Sequence, residues 1–291
     1  MSGVAKPMAL LVLGCAVHLA AACGSEELGP PVAIPGLRLD RERVPLGGPL
    51  RMTYSFTPTP DIAALSGPYR VSVRFLDADG TFMFDDDHDP PVPTTEWQSG
   101  QPVFYDRVFF VPLYPYVGTT SVAVGLYAPE TGRRAAVAGA GSGGFETGAA
   151  SIELAPPPRS WPTLRGGWHG VERAEGREWR WTSVRAAVAF WNPRRDARLY
   201  LEIEGRPDLF EPGQRVDLIV RDRTVDSLLI DRPGAILHTT DLGAGDFGEQ
   251  DTIELALRVE PTFVPAELPG SEGGDTRRLG IRVYRLFIES P

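Results

Sequence analysis

The sequence predicts an all-β chain folded into two sandwiches, and three observations carry that prediction. Apolar residues alternate with polar ones in short runs, the period of a strand with one buried face. The 32 glycines and 28 prolines interrupt the 291 residues too often for long helices. No segment of comparable length carries a helical apolar stripe with caps at its ends.

The first element is a leader. Lys6 and the free amine precede an apolar run from Met8 to Ala22, which ends on three small residues before Cys23. A cationic start, a short apolar core and small residues at the break are the requirements of a secretory signal peptide, assigned to residues 1–22. The run is shorter than the roughly 20 apolar residues a spanning helix needs. Ala20-Ala21-Ala22-Cys23 resembles the lipobox of bacterial lipoproteins, although that motif usually has Leu where Ala20 stands. The resemblance implies a diacylglyceryl thioether and an acylated amine on Cys23, hence tethering to a lipid bilayer by several acyl chains. A second box at Val12-Leu13-Gly14-Cys15 would leave too short an apolar core. An ordinary cleaved signal with an incidental cysteine is the alternative. Gly24 and Ser25 follow Cys23 with no Asp to retain the protein at an inner membrane, so the expected location is the cell envelope, at the outer membrane in preference to the inner one.

Residues 23–35 form a polar, Gly- and Pro-rich tether. The first sandwich is assigned to 36–155, with strands at Leu50–Phe56, Tyr69–Phe75, Phe104–Val111 and Ser121–Tyr127. Asp77-Ala78-Asp79-Gly80 reads as a tight hairpin turn, because Asp-Gly tolerates positive φ. With Thr95–Gly100 and Val124–Gly132, this segment resembles an immunoglobulin-like β-sandwich of the exterior regions of bacterial polytopic glycosyltransferases. The resemblance implies a fold and transfers no catalytic residue. Gly139–Gly148 is a small-residue stretch, and Pro156-Pro157-Pro158 opens a stiff spacer over 156–165. The second sandwich, 166–291, is read as about eight evenly spaced strands, from Trp168 through Trp179–Thr182 and Leu199–Ile203 to Ile281–Ile288, which fits a jelly roll. Gly167-Trp168, Trp179-Arg180-Trp181-Thr182, Asn192-Pro193 and Asp275–Ile281 resemble the carbohydrate-binding-module-like domains of bacterial polysaccharide-assembly proteins. That resemblance implies work near glycans.

Strand alternation puts Trp179 and Trp181 on one face and Arg180 on the other. Two arrangements satisfy the pattern. Trp168, Trp179, Trp181 and Trp191 form a platform for pyranose rings, with polar groups bonding the hydroxyls, or the indoles fill the sandwich core. Tyr200, Arg180 and His169 are candidates for an exposed site. The candidate ligand-binding set is thus Trp168, His169, Trp179, Arg180, Trp181 and Tyr200. Asp85, Asp87 and Asp89 are weak candidates for a hard cation, but their spacing does not fit an EF-hand, and a solvated acidic loop with His88 at its surface is the simpler expectation.

Charge and motifs exclude several classes. With 29 basic and 38 acidic side chains the formal net charge is −9, and no cationic stripe suited to nucleic acid occurs. Both cysteines lie in the leader or at its end, so no disulfide or thiolate metal site is expected in the folded part, and no cofactor is implied. No nucleophile elbow, zinc spacing or phosphate loop occurs. The expected function is a non-catalytic, membrane-anchored binding or assembly module for cell-envelope polysaccharide. A protein-interaction adaptor is the alternative, and a glycan-active hydrolase needing two opposed carboxylates is a third reading.

Overall fold

A computed structural model describes residues 29–140, 145–174, 176–271 and 274–290. The leader and Cys23 lie outside the described residues. The chain is all-β, in two sandwiches.

In the first, β1 (Ala33–Leu39), β2 (Arg43–Pro45), β3 (Pro49–Pro58), β4 (Arg70–Leu76), β5 (Phe82–Asp85), β6 (Val103–Phe110), β7 (Gly118–Tyr127), β8 (Arg134–Ala135) and β9 (Glu146–Ala155) follow in order. One sheet has the order β1-β3-β6; the other is β2-β9-β7-β4-β5, with β8 beside β7. The chain crosses sheets between β1 and β2, and β2 then runs parallel to the last strand, β9, an immunoglobulin-like arrangement. The period of two explains the core. Leu50, Met52, Tyr54 and Phe56 of β3 point inward, as do Val71, Val73 and Phe75 of β4 and Val122, Val124 and Leu126 of β7. The Asp-Gly turn is present between β4 and β5. Gly80 has φ +79°, and the Asp77 carboxylate accepts from the backbone of Asp79 and Thr81 at 3.0 and 2.8 Å.

His88 departs from expectation. It is only 4% exposed, with Nδ1 2.7 Å from the Asp86 carbonyl and Nε2 2.8 Å from the Tyr105 hydroxyl. The segment from Asp86 to His88 runs back along β4, with hydrogen bonds between Val71 and His88 in both directions, and this turns the ring inward beside Tyr54.

The second sandwich comprises β10 (Thr163–Leu164), β11 (Trp168–Ala174), β12 (Arg177–Thr182), β13 (Arg185–Trp191), β14 (Ala197–Glu204), β15 (Gln214–Val220), β16 (Arg223–Ile230), β17 (Ile236–Leu242), β18 (Thr252–Glu260) and β19 (Arg282–Glu289). The sheets have orders β10-β13-β18-β15-β16 and β11-β12-β19-β14-β17. Taken from β12 onward, the eight long strands interleave between sheets as a jelly roll does. Leu199, Leu201 and Ile203 face Val216, Leu218, Ile253 and Leu255 across a closed core.

The two sandwiches touch. In the segment joining them, Ser160 is buried and bonds the Ile288 carbonyl at 3.2 Å, while the Trp161 ring lies 6.1 Å from Phe287 and over Gly47. Phe110 meets Tyr200 edge-on at 6.3 Å, and Arg41 pairs with Glu289. The outer face of β14 and β19 is therefore covered by the first sandwich where solvent was expected. Tyr200 is only 7% exposed, with its hydroxyl donating to Glu289 at 2.9 Å.

Candidate functional site

The site forms where β12 and β19 part. Their register pairs Arg180 with Val283 and Trp181 with Arg282, and goes no further. A bulge between Glu202 and Ile203 in the pairing of β14 with β19 inserts Tyr284 as an extra residue. Beyond Arg180 the two strands separate and leave a cleft of about 390 Å³, within the size range of small-ligand sites. Three indoles line it: Trp161 from the connecting segment, Trp168 from β11 and Trp179 from β12. Val188, Val283 and Leu286 supply apolar wall, and Glu178, Arg180, Tyr284 and Arg285 supply the polar groups.

Cross-strand partners share a face, so the register assigns sides. Arg180 pairs with Val283, and Val283 with Ile203, placing Arg180 on the side that faces the opposite sheet. Trp168 pairs with Thr182 on the same side, and its Nε1 reaches the Ala187 carbonyl of that sheet at 2.6 Å. Trp179 and Trp181 take the outer side together, as the alternation requires. Between their rings lies the Arg282 guanidinium, 4.9 Å from each, held 3.4 Å from Glu204.

The six candidate residues then separate. Trp168, Trp179 and Arg180 line the cleft. His169 sits beside it: its carbonyl accepts from Arg180 Nη1 at 3.1 Å, and its Nε2 lies 3.0 Å from the Arg278 carbonyl. Trp181 belongs to a small satellite core. It is 4% exposed under Phe263 and Leu279, and its Nε1 donates to Glu172 at 3.2 Å. Tyr200 lies in the contact between sandwiches. Trp191 is 58% exposed at the end of β13, away from the cleft wall. The Asp275–Ile281 segment covers Trp181: Leu279 pairs with Phe263, Arg277 with Glu172.

Sequence reasoning missed Trp161, Glu178, Tyr284 and Arg285. The one available signal was a Trp inside a Pro-rich spacer, where a large apolar ring has no reason to stand unless something receives it. Tyr284 is tied down: its hydroxyl donates to Glu204, and the Arg177 guanidinium lies 3.8 Å above its ring. Burial, reinforced by the Glu204 carboxylate, pushes the phenol up from its ordinary value. A second cleft of about 220 Å³ shares Glu178, Tyr284 and Arg285 with the first and continues to Arg107 and Asp86 of the first sandwich.

The acidic loop is engaged elsewhere. Asp87 accepts from the Val73 backbone at 2.9 Å, Asp89 lies 3.3 Å from Arg70, and burial raises the Asp85 carboxyl. Among the described residues, no group of three or more His, Cys, Asp or Glu is placed to hold a metal ion.

No protein-family model and no curated protein matches the chain. Among solved structures it is similar to the CBM22 tandem domain of Paenibacillus barcinonensis Xyn10C, at 10% identity over 88% of this chain and 94% of that one, TM-score 0.29. It is also similar to carbohydrate-binding module CBM36 in complex with calcium and xylotriose, at 14% identity over 45% and 94%, TM-score 0.27. A third is an exo-β-1,3-galactanase from Phanerochaete chrysosporium, at 9% identity over 88% of this chain and 56% of that one, TM-score 0.30. Superpositions this loose assign no role to any residue here.

Proposed function

We propose that the chain is a non-catalytic glycan-binding module, held at the cell envelope by a lipidated Cys23, whose ligand is a polysaccharide of that envelope. The observation that carries this reading is the cleft between β12 and β19, with three indoles and several hydrogen-bonding side chains around one opening. Such a wall suits a sugar, whose C–H face packs on an aromatic ring while its hydroxyls meet polar groups. Among the described residues Glu178 is the one carboxylate on that wall, and it is already paired with Arg173 at 2.6 Å. Glycoside hydrolysis in its usual form calls for two carboxylates flanking the bond, so binding is the better-supported use.

The test is a titration of the full chain with envelope oligosaccharides, followed by tryptophan fluorescence. Trp179→Ala should weaken binding at least tenfold, while Trp191→Ala leaves it unchanged. An absence of binding across the panel, or equal effects of the two substitutions, refutes the reading. Mass spectrometry of the mature N-terminus tests the anchor separately: an unmodified Cys23, or cleavage elsewhere, removes it.

A further inference from the structure

Most guanidinium groups around the cleft are already spoken for. Arg177 pairs with Glu202 at 2.7 Å, Arg282 with Glu204, and Arg277 with Asp275 and Glu172. Two on the cleft wall differ. Arg180 donates to the His169 carbonyl, and Arg285 donates to the Tyr284 carbonyl at 2.9 Å. Among the described residues neither is paired with a carboxylate. Trp179 Nε1, on the same wall, is buried with no hydrogen-bond partner among the protein groups. Glu178, the one acid on this wall among the described residues, is paired with Arg173 at 2.6 Å. The opening therefore offers two guanidinium groups that no carboxylate engages within ion-pair distance among the described residues, on a chain whose net charge is −9.

We infer that the ligand is an anionic oligosaccharide whose sugar carboxylates meet Arg180 and Arg285; this rests on the reading of the cleft as a glycan site. A guanidinium presents two parallel N–H donors to a carboxylate, a geometry a neutral hydroxyl does not match. Arg180 is half-buried, so its pairing is screened less than at an open surface, whereas Arg285 is exposed, and added salt weakens the pairing at both. A neutral chain in the same place would take water from both guanidinium groups without returning a charge.

The test uses matched pairs: uronic-acid oligosaccharides, each beside its carboxyl-reduced neutral counterpart, titrated against the full chain at low and high salt. The acidic member should bind at least tenfold more tightly at low salt, with the gap narrowing as salt rises. Arg285→Gln should remove most of that gap with an unchanged melting temperature, since Arg285 is exposed and bonds only its neighbour's carbonyl. Arg180→Gln is the second variant. Neutral members binding as tightly as acidic ones overturn the inference and leave the glycan reading intact. An acid preference that survives both substitutions overturns the assignment to these arginines. If no member of any pair binds, the glycan reading falls and the inference falls with it.

Discussion

Gly47 and Gly80 allow the seating of Trp161 to be measured. Both have φ +79°, a left-handed conformation that an L side chain adopts at a cost of roughly 1–2 kcal/mol. Their surroundings differ. A Cβ at Gly80 meets nothing within 4 Å, whereas one at Gly47 would overlap the Trp161 ring. Gly80→Ala should therefore lose only the backbone contribution. Gly47→Ala should lose the same amount plus the cost of forcing an extra carbon into a packed contact, about 1–3 kcal/mol more. The difference between the variants isolates the ring contact, because the backbone contribution cancels.

Equilibrium urea denaturation of both variants, followed by tryptophan fluorescence, measures that difference. Trp161 also lines the cleft, so Gly47→Ala should weaken oligosaccharide binding while Gly80→Ala leaves it alone. Equal losses of stability in the two variants would show that Trp161 does not rest on Gly47 in solution. The same result would sink the claim that the connecting segment is fixed against the first sandwich.

Two further predictions concern titration. Burial lowers the His88 pKa, with the nearby Arg107 adding to it and the Asp86 carbonyl opposing. The unfolded ring takes up its proton near the ordinary value of about 6.5 while the folded ring stays neutral, so stability falls as pH drops below that value, by about 1.4 kcal/mol per unit of depression. His88→Gln should flatten this slope in denaturation curves taken between about pH 7 and pH 5; an unchanged slope would place its origin elsewhere. Burial alone would raise the Asp217 carboxyl, but hydrogen bonds from Ser227, Arg258 and Arg215 outweigh it and hold it well below the usual range. Its contribution is full above about pH 3.9 and is lost as pH falls through the depressed value, so Asp217→Asn should cost roughly 1–3 kcal/mol at neutral pH and make the remaining acid loss shallower. A variant with the parent's acid midpoint would contradict this. The two arginines are half exposed, which keeps the figure below that of a fully buried pair.

The strands legible in the sequence were those with clean alternation. β3, β4, β7 and β14 lie within a few residues of their expected bounds, because each has one face against a core. β17 was missed: Ile236-Leu237-His238-Thr239-Thr240-Asp241-Leu242 mixes polar and apolar residues on both faces of an edge strand, and His238 and Thr240 bond Asp226. The short pieces β2, β5, β8 and β10 are too brief for a period to show. His88 was misread because a run of aspartates looks solvated, whereas its backbone follows β4 and turns the ring inward. The candidate site was half legible. Alternation separated Arg180 from Trp179 and Trp181 correctly, since it follows from the pleat alone. It was silent on what covers each side.

That silence has a structural cause, and the cause also places the cleft. In a sandwich one face of each sheet is normally wet, but the outer face of β12, β19 and β14 is covered at both ends. The first sandwich closes one end over Tyr200 and Phe287, and the segment carrying Phe263 and Leu279 closes the other over Trp181. Large aromatic residues occur on both covered patches, so an outward-pointing ring was no guide to exposure. Between the covers the stretch at Trp179, Tyr284 and Arg285 is open, and there the gap between β12 and β19 lets it communicate with the inter-sheet side at Trp168 and Arg180. The first sandwich consequently bears on the shape of the cleft in the second. Through Gly47 it seats Trp161 of the connecting segment, which forms one wall of the opening, so a change at residue 47 should be felt by a ligand bound to the other half of the chain.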